Sequence, residues 1–348
     1  MRQQNHISIR GFIYPALLFL GAGAAAVHFA EGKQVWRLLR HSAGGWLALA
    51  AFGQLLLLLN QSALYGAAYR LAGLPEKIRR LFLLVLAASF TAAAVPGGTL
   101  SGAGLMVYDA ARRGRETARA VLANLIFFLL DYLGFLIVLA LALGYLYFHS
   151  ALQKYELAAA GLLTALVAAG LLALVFTAAR PAAGAAFGGV ITAVCRFLPL
   201  VCTLSRKYGW EEKITGFAAR LAKAAGAFRA DAPTLSRAGL HALLMEAIGL
   251  LQLEALFLAF GGSPTPGQLV AGYAAGVLFM IVSITPSGVG IMEGAMTAAY
   301  ASVGIPLEKA ALVTFTYRAF SFWLPVVAGF FALRRVFGEE KENGYKKK

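Results

Sequence analysis

Four ionisable side chains lie inside hydrophobic stretches of the sequence: Asp131, Glu246, Glu293 and Arg318. An ionisable group at the centre of a bilayer costs on the order of 3 kcal/mol or more unless it is paired or wetted. Arg318 is the cation among them, and its planar guanidinium can bind two oxygens of a phosphate at once. The four residues predict a polar substrate-binding site at membrane depth. There Arg318 binds a phosphate or pairs with Asp131 or Glu293, and both states can occur in one cycle.

Two clusters of proline and glycine interrupt the hydrophobic segments that precede Asp131 and Arg318. The first cluster, within 81–111, holds Pro96, Gly97, Gly98, Gly102 and Gly104, and the second, within 268–303, holds Pro286, Gly288 and Gly290. Hydrocarbon cannot satisfy the backbone groups of a broken helix, so both clusters must face protein or a wet cavity. Each then opens a half-helix whose N-terminal N–H groups suit an anion. We predict that all eight residues shape the binding site; the alternative is that small residues only permit close helix packing.

The elements that must position these residues are membrane helices. The 348 residues are 60% hydrophobic and 14% charged, and apolar runs of about twenty residues are long enough to span a bilayer. We predict an all-α polytopic membrane protein with about six spanning helices. The apolar runs are Gly11–Ala30, which we interpret as a retained first helix, Gly44–Leu64, Ala118–Phe148, Leu157–Ala179, Gly239–Phe260 and Ala310–Phe337.

The positions of Lys and Arg decide whether the two interrupted segments also cross. If both crossed, more basic residues would lie outside than inside, against the positive-inside rule. If each folds back to its own side, 25 of the 31 basic residues lie on the cytoplasmic side and 5 outside, with Arg318 in the last helix. The sequence therefore predicts two re-entrant hairpins and cytoplasmic N- and C-termini. The net charge of +15 is explained by cytoplasmic retention of Lys and Arg, and we expect no nucleic-acid partner.

Hairpins that enter from opposite sides make the two halves an inverted repeat of eight hydrophobic segments. The first half covers about 10–180, a cytoplasmic loop covers 181–237, the second half covers 238–337, and 338–348 is a basic cytoplasmic tail. Asp131 follows Gly104 by 27 residues, and Arg318 follows Gly290 by 28. Within the loop, we interpret Pro181–Leu204 as an interfacial amphipathic helix rather than a further span.

The sequence contains no pattern typical of a metal or nucleotide site. The five histidines lack ligand spacing, and Cys195 and Cys202 cannot form a four-ligand metal site. Lys33 follows a glycine, but the rest of a phosphate-binding loop is missing. We expect no cofactor, no metal and no direct use of ATP.

Two stretches resemble a known family. TPSGVGIMEGAM, followed by SVGIPLEKAALVTFTYRAFSFWLPVVAGFFAL, resembles the C-terminal half of the lysylphosphatidylglycerol synthetase membrane region, the flippase-like domain of the multiple peptide resistance factor. VPGGTLSGAGLMVYDAARRG, with the later LLDYLGF, resembles its first half, and the likeness covers about 10–337. In the first motif, many members carry an Asp and an Arg where this chain has 105–108.

The resemblance implies a bacterial cytoplasmic-membrane protein that moves modified lipids between leaflets. Our leading interpretation is a flippase whose partner is a membrane phospholipid or a lipid-linked substrate. The alternatives are a phosphatidylglycerol lysyltransferase, which would be an enzyme, and a membrane scaffold for a lipid-modifying enzyme; a homo-oligomer is compatible with each. Ser205–Arg237 is too short to form a domain that grips tRNA. The sequence ends eleven residues after Phe337, so we expect no soluble synthase domain.

Overall fold

A computed structural model describes residues 43–95, 98–179, 210–226, 231–283 and 285–345. These residues form helices and their connections, with no β-strand among them. The helices are α1 (Gly44–Leu71), α2 (Ile78–Ala94), α3 (Thr99–Arg112), α4 (Thr117–Phe148), α5 (Lys154–Ala179), α6 (Trp210–Gly226), α7 (Ala232–Ala259), α8 (Pro266–Val282), α9 (Ile291–Ser302), α10 (Leu307–Arg318) and α11 (Leu324–Tyr345). The predicted helix at 11–30, the interfacial segment at 181–204, Pro96 and Gly97 lie outside the described residues.

Five stretches in the described part of the chain are long and apolar enough to cross a membrane. They are Gly44–Leu71, Thr117–Phe148, Lys154–Thr177, Ala232–Ala259 and Leu307–Phe337. At a rise of 1.5 Å per residue, even the shortest reaches about 36 Å, more than the roughly 30 Å of bilayer hydrocarbon. The prediction of an all-α polytopic membrane protein is therefore confirmed.

The two interrupted segments fold into helical hairpins. In the first, α2 and α3 run antiparallel, with the Ser101 hydroxyl donating to the Thr91 carbonyl at 3.1 Å. In the second, α8 and α9 also run antiparallel. Gly276 of α8 faces Met296 of α9, and Gly272, one turn earlier in α8, faces Tyr300, one turn later in α9. The four helices contain 12 to 17 residues and are about 18 to 26 Å long. Each is shorter than the bilayer hydrocarbon is thick.

The bases of the two hairpins lie at opposite ends of the bundle. The base of the first adjoins the end of α1, where Arg119 donates to the Gly73 carbonyl. The second hairpin begins just after α7 ends. That end of α7 adjoins the start of α1, because the N–H of Ala43, just before α1, donates to the carbonyl of Ala259, the last residue of α7. Helix α1 has 28 residues, so about 42 Å separates these two levels. The hairpins therefore point toward each other.

The long helix that follows each hairpin packs against the hairpin of the other half. Phe330 of α11 lies with its ring centroid 5.6 Å from that of Phe90 in α2. Tyr145 of α4 packs directly on Gly267 of α8, where any side chain would collide with its ring. Between the halves, α1 and α7 are joined by a hydrogen bond of 2.7 Å from the Asn60 amide to the His241 carbonyl. This crossed packing gives the described residues the inverted architecture that the sequence predicts.

Candidate functional site

A cavity of about 780 Å³ lies where the two hairpin tips meet. Both tips line it, together with the long helices α1, α4, α5 and α7 and the junction of α10 with α11. Its size falls within the range of small-molecule sites. Among the described residues, the Asp, Glu and Arg side chains in its wall are those of Asp131, Glu246 and Arg318.

The tip of the first hairpin presents the N-terminus of α3 to this cavity. Gly98 precedes the helix with a φ of 54°, which favours glycine, and Gly98, Thr99 and Gly102 all line the cavity. A Cβ at Gly102 would stand 2.8 Å from the Ala88 carbonyl oxygen, so this glycine lets α3 approach α2 closely. Gly104 is exposed on another face of α3 and is absent from the cavity wall.

The tip of the second hairpin is a short 3-10 turn, Pro286–Gly288, and three positions in it or just after it have a positive φ. Ser287 has φ 52°, Gly288 φ 69° and Gly290 φ 85°. A non-glycine residue in this region is held there by its surroundings. The Ser287 hydroxyl lies 3.5 Å from the Ala92 carbonyl oxygen of the other tip. The two tips are therefore in contact.

Arg318 fixes this strained turn through an ion pair. Its Nε donates to Glu293 Oε1 at 2.7 Å, and its Nη2 donates to the Ser287 carbonyl at 3.1 Å. The other Glu293 oxygen accepts the Gly290 N–H at 2.7 Å and so caps α9. Arg318 is 3% exposed and Glu293 2%. Of the two ion pairs considered from the sequence, the structure forms the one with Glu293.

One nitrogen of the Arg318 guanidinium, Nη1, remains available to a ligand. Among the described residues, Nη1 has no hydrogen-bond acceptor, whereas Arg318 itself lines the cavity. The guanidinium carbon lies 4.6 Å from the centroid of the Phe322 ring, a cation–π contact that supports the charge without occupying a donor. A phosphate in the cavity could therefore reach Arg318 before Glu293 leaves it.

A π-helical turn follows Arg318 directly. It covers Ala319–Trp323 and joins α10 to α11. Pro325 has no N–H for a regular helical bond to residue 321, and its ring would press on that carbonyl, so the turn widens. Such bulges are frequent at functional sites. This turn was not predicted from the sequence, although Pro325, seven residues after Arg318, is a signal for it.

Asp131 and Glu246 form an acidic pair in the same cavity. Asp131 lies 14 residues from the start of α4, about 21 Å along the helix. Glu246 projects from α7 beside Tyr273 and is close enough to Asp131 to interact with it electrostatically. Asp131 Oδ1 and Glu246 Oε2 are buried and have no hydrogen-bond partner among the described residues. The structure thus places Asp131 and Glu246 in the same cavity as Arg318, but among the described residues neither of these two acids pairs with it.

Hydroxyl side chains complete the cavity wall and were not predicted as site residues. They include Ser89, Ser283, Thr285 and Ser287 near the tips. The Ser and Thr residues that flank Pro286 were a signal that the sequence analysis did not use. In the described ranges, no group of three His, Cys, Asp or Glu residues is placed to hold a metal ion.

Comparisons with known proteins agree with this architecture. The family model described as the lysylphosphatidylglycerol synthase TM region matches residues 12–329. A curated relative, the UPF0104 membrane protein PH1989 of Pyrococcus horikoshii, is 30% identical over 95 residues. That match covers 27% of this chain and 28% of the relative, so the chain spans less than a third of that protein's length. Because the family model covers most of the sequence, this integral membrane protein belongs to the lysylphosphatidylglycerol synthase TM-region family.

Proposed function

We propose that this protein moves a phospholipid, or another lipid-linked headgroup, from one membrane leaflet to the other. The observation that carries the proposal is the cavity of about 780 Å³ between the hairpin tips, with Arg318 in its wall. The lipid chains remain in the bilayer while the headgroup passes through this cavity. Moving a headgroup through hydrocarbon is costly because its polar groups lose water, and the polar wall of the cavity replaces part of that water.

Two features of the wall suit the phosphate of a headgroup. Arg318 offers its free Nη1 in a charge-assisted hydrogen bond. The N-terminus of α3, at Thr99 and Leu100, lines the cavity and contributes unpaired N–H groups with the positive end of the helix dipole. Together they bind an anion from two sides, one on each half of the molecule.

Before a headgroup binds, the Glu293 carboxylate is the anion that pairs with Arg318. A phosphate that binds Nη1 places a second anion beside the guanidinium and so weakens its pairing with the Glu293 carboxylate at Nε. Because Glu293 also caps α9 and Arg318 also holds the Ser287 carbonyl, weakening the pair loosens the tip of the second hairpin. Headgroup binding thereby weakens the contact between the two hairpin tips.

Reconstitution into liposomes tests the proposal. We expect the purified protein to speed the exchange of fluorescent phosphatidylglycerol, phosphatidylethanolamine or phosphatidylcholine between leaflets, measured by quenching of the outer-leaflet reporter. The Arg318→Ala variant should reduce the rate about tenfold or more, since a hydrogen bond to a charged group contributes roughly 1.5–3 kcal/mol. Arg334→Ala is the matched control, because Arg334 is exposed and lies outside the cavity wall. Rates equal to those of empty vesicles for all headgroups would contradict the proposal.

The family description also names a synthase, and this alternative has its own assay. Purified protein is incubated with lysyl-tRNA and phosphatidylglycerol, and the extracted lipids are analysed for an aminoacyl-lipid. Formation of that product would make the protein a lysyltransferase. If instead Arg318→Ala is folded and moves lipid as fast as the unsubstituted protein, the scaffold interpretation is favoured, because the cavity then has no part in lipid movement.

A further inference from the structure

The cavity contains more acidic than basic groups. Arg318 is the basic side chain in the described part of its wall, and it is already paired with Glu293. If Glu293, Asp131 and Glu246 were all ionised, the single guanidinium would compensate one of the three negative charges. Two would remain in a largely buried site, where unpaired carboxylates are strongly unfavourable. The acidic pair therefore requires a cation, and a proton is the simplest one.

The groups that face the acidic pair from the surrounding helices are neutral. Tyr65 of α1, Tyr132 of α4, Tyr273 of α8 and Tyr317 of α10 all line the cavity near these acids. Helix α5 contributes apolar side chains such as Leu163 and Val167. Phenol hydroxyls can donate hydrogen bonds to a carboxyl group but cannot neutralise its charge. Together with the unpartnered Asp131 Oδ1 and Glu246 Oε2, these surroundings fit a carboxyl pair that holds a proton.

We infer that Asp131 and Glu246 form a proton-binding site that couples lipid movement to the transmembrane proton gradient. The inference rests on the proposed function and adds its energy source. When a proton binds, one of the two carboxylates becomes a neutral carboxylic acid, and a single negative charge remains in the site. When the proton leaves, the pair carries two like charges in one site. The titration belongs to the pair rather than to either residue.

The sign of the coupling follows from the position of the phosphate site. A phosphate at Arg318 adds negative charge to the cavity that holds the acidic pair, and a nearby negative charge strengthens the hold of a carboxyl group on its proton. Because coupling between two sites is reciprocal, a bound proton equally favours the phosphate. Proton and anionic lipid therefore bind together and cross in the same direction. The lipid should accumulate in the leaflet that faces the more alkaline compartment.

The test measures the final leaflet distribution of a tracer of fluorescent phosphatidylglycerol in proteoliposomes. The membrane potential is clamped with potassium and valinomycin, and a pH difference of one unit is imposed. For one proton per lipid, the ratio between leaflets should approach tenfold, because one pH unit is a factor of ten in proton activity. In Asp131→Asn and in Glu246→Gln, the ratio should return to its value without a pH difference. Glu254→Gln, the same change at an exposed position of α7, should retain the response.

The outcomes separate this inference from the proposed function. If lipid equilibrates but the ratio ignores the pH difference, or follows a sodium gradient at equal pH, proton coupling is overturned while lipid movement stands. Accumulation on the acidic side would show exchange of proton for lipid and would overturn co-transport. If no lipid moves above the rate in empty vesicles, the proposed function fails, and infrared difference spectra decide the proton site. A protonated-carboxyl band at neutral pH that Asp131→Asn or Glu246→Gln removes supports the site; no such band overturns it.

Discussion

Each hairpin consists of two short antiparallel helices, but the ion pairs of the first lie at its base and the ion pair of the second lies at its tip. The first is held at its base, where Glu76 pairs with Arg113 and Arg115 and Asp109 pairs with Arg80. The three arginine side chains there are 23 to 29% exposed. The second is held at its tip by Arg318 and Glu293, whose side chains are both 3% exposed. Its base is joined by bonds to backbone carbonyls, such as that of 2.8 Å from the Gln268 amide to Val303.

This difference indicates which hairpin carries the chemistry. In the base pairs, Asp109 and Glu76 are only 5 and 8% exposed, but water still competes for the arginines, so each pair contributes less than a fully buried one. A buried pair is costly to form, and removing one partner is strongly destabilising because the other charge is left alone. The tip of the second hairpin can therefore be released only when something else compensates Arg318. In the proposed function a headgroup phosphate does this, so the ion pair would make the second hairpin respond to the lipid, whereas the base of the first hairpin would serve as an anchor.

Breaking the tip pair should have the largest effect. Glu293→Ala leaves Arg318 buried without its partner and removes the cap from the Gly290 N–H, so we expect a loss of about 3–5 kcal/mol in stability. Thermal or denaturant unfolding in detergent measures it. Glu116→Ala, which breaks the surface pair with Arg119, is the matched control and should cost under about 1 kcal/mol. Equal losses in the two variants would remove the distinction between tip and base.

The close contact within the first hairpin gives an intermediate effect. Gly102→Ala places a Cβ 2.8 Å from the Ala88 carbonyl oxygen and should destabilise the protein by about 1–3 kcal/mol through forced backbone shifts. Gly104→Ala, two residues later on the same helix, meets nothing within 4 Å. It should be neutral or stabilising by up to about 1 kcal/mol, because alanine favours the helix. Unfolding curves recorded side by side decide the matter, and identical behaviour would contradict the close packing of α2 on α3.

The base of the first hairpin should show the smallest effect. Partial burial acts to raise the pKa of Glu76, but the hydrogen bond from Arg113, with the nearby charges, outweighs burial and holds this pKa below its ordinary value. Ionised Glu76 therefore stabilises the fold above the unfolded pKa of about 4.3, and this contribution disappears as the pH falls through the folded value.

At pH 7, Glu76→Gln should lose about 1 kcal/mol or less. The difference from the unsubstituted protein should shrink on acidification below about pH 4.3 and on addition of salt, which screens exposed charges. Stability measured across a pH series tests this. A difference that grows toward acid would show that Glu76 is not ionised at this base.

Much of the fold followed from local properties of the sequence. Apolar runs predict spanning helices because a bilayer requires about twenty apolar residues in series. The breaks around Gly98 and Pro286 predict hairpins because glycine and proline cannot continue a regular helix there. The distribution of Lys and Arg predicts that the hairpins enter from opposite sides, and the opposed bases in the structure agree, whereas which side is cytoplasmic stays a prediction. The division of the chain into halves with a cytoplasmic loop and tail stays a prediction.

The site was only partly predictable. Arg318, Glu293, Asp131 and Glu246 could be named because each is a charge within an apolar run, where it requires a partner. Choosing between Glu293 and Asp131 as the partner of Arg318 was not feasible, since both choices satisfy the same chemical requirement. Gly104 resembled its neighbours Gly98 and Gly102 in sequence, but the turn of α3 places it on another face.

The sequence by itself determined that this protein is a bundle of membrane helices with two broken segments and a few buried charges, because these features depend on residue type and spacing along the chain. Only the tertiary structure decided that Arg318 pairs with Glu293, that the tips touch through Ser287 and Ala92, and that Asp131 and Glu246 share one cavity in which no described residue supplies them a cation. The physical reason is that these contacts join distant parts of the chain. They depend on crossed packing between the halves, which no local pattern of residues records.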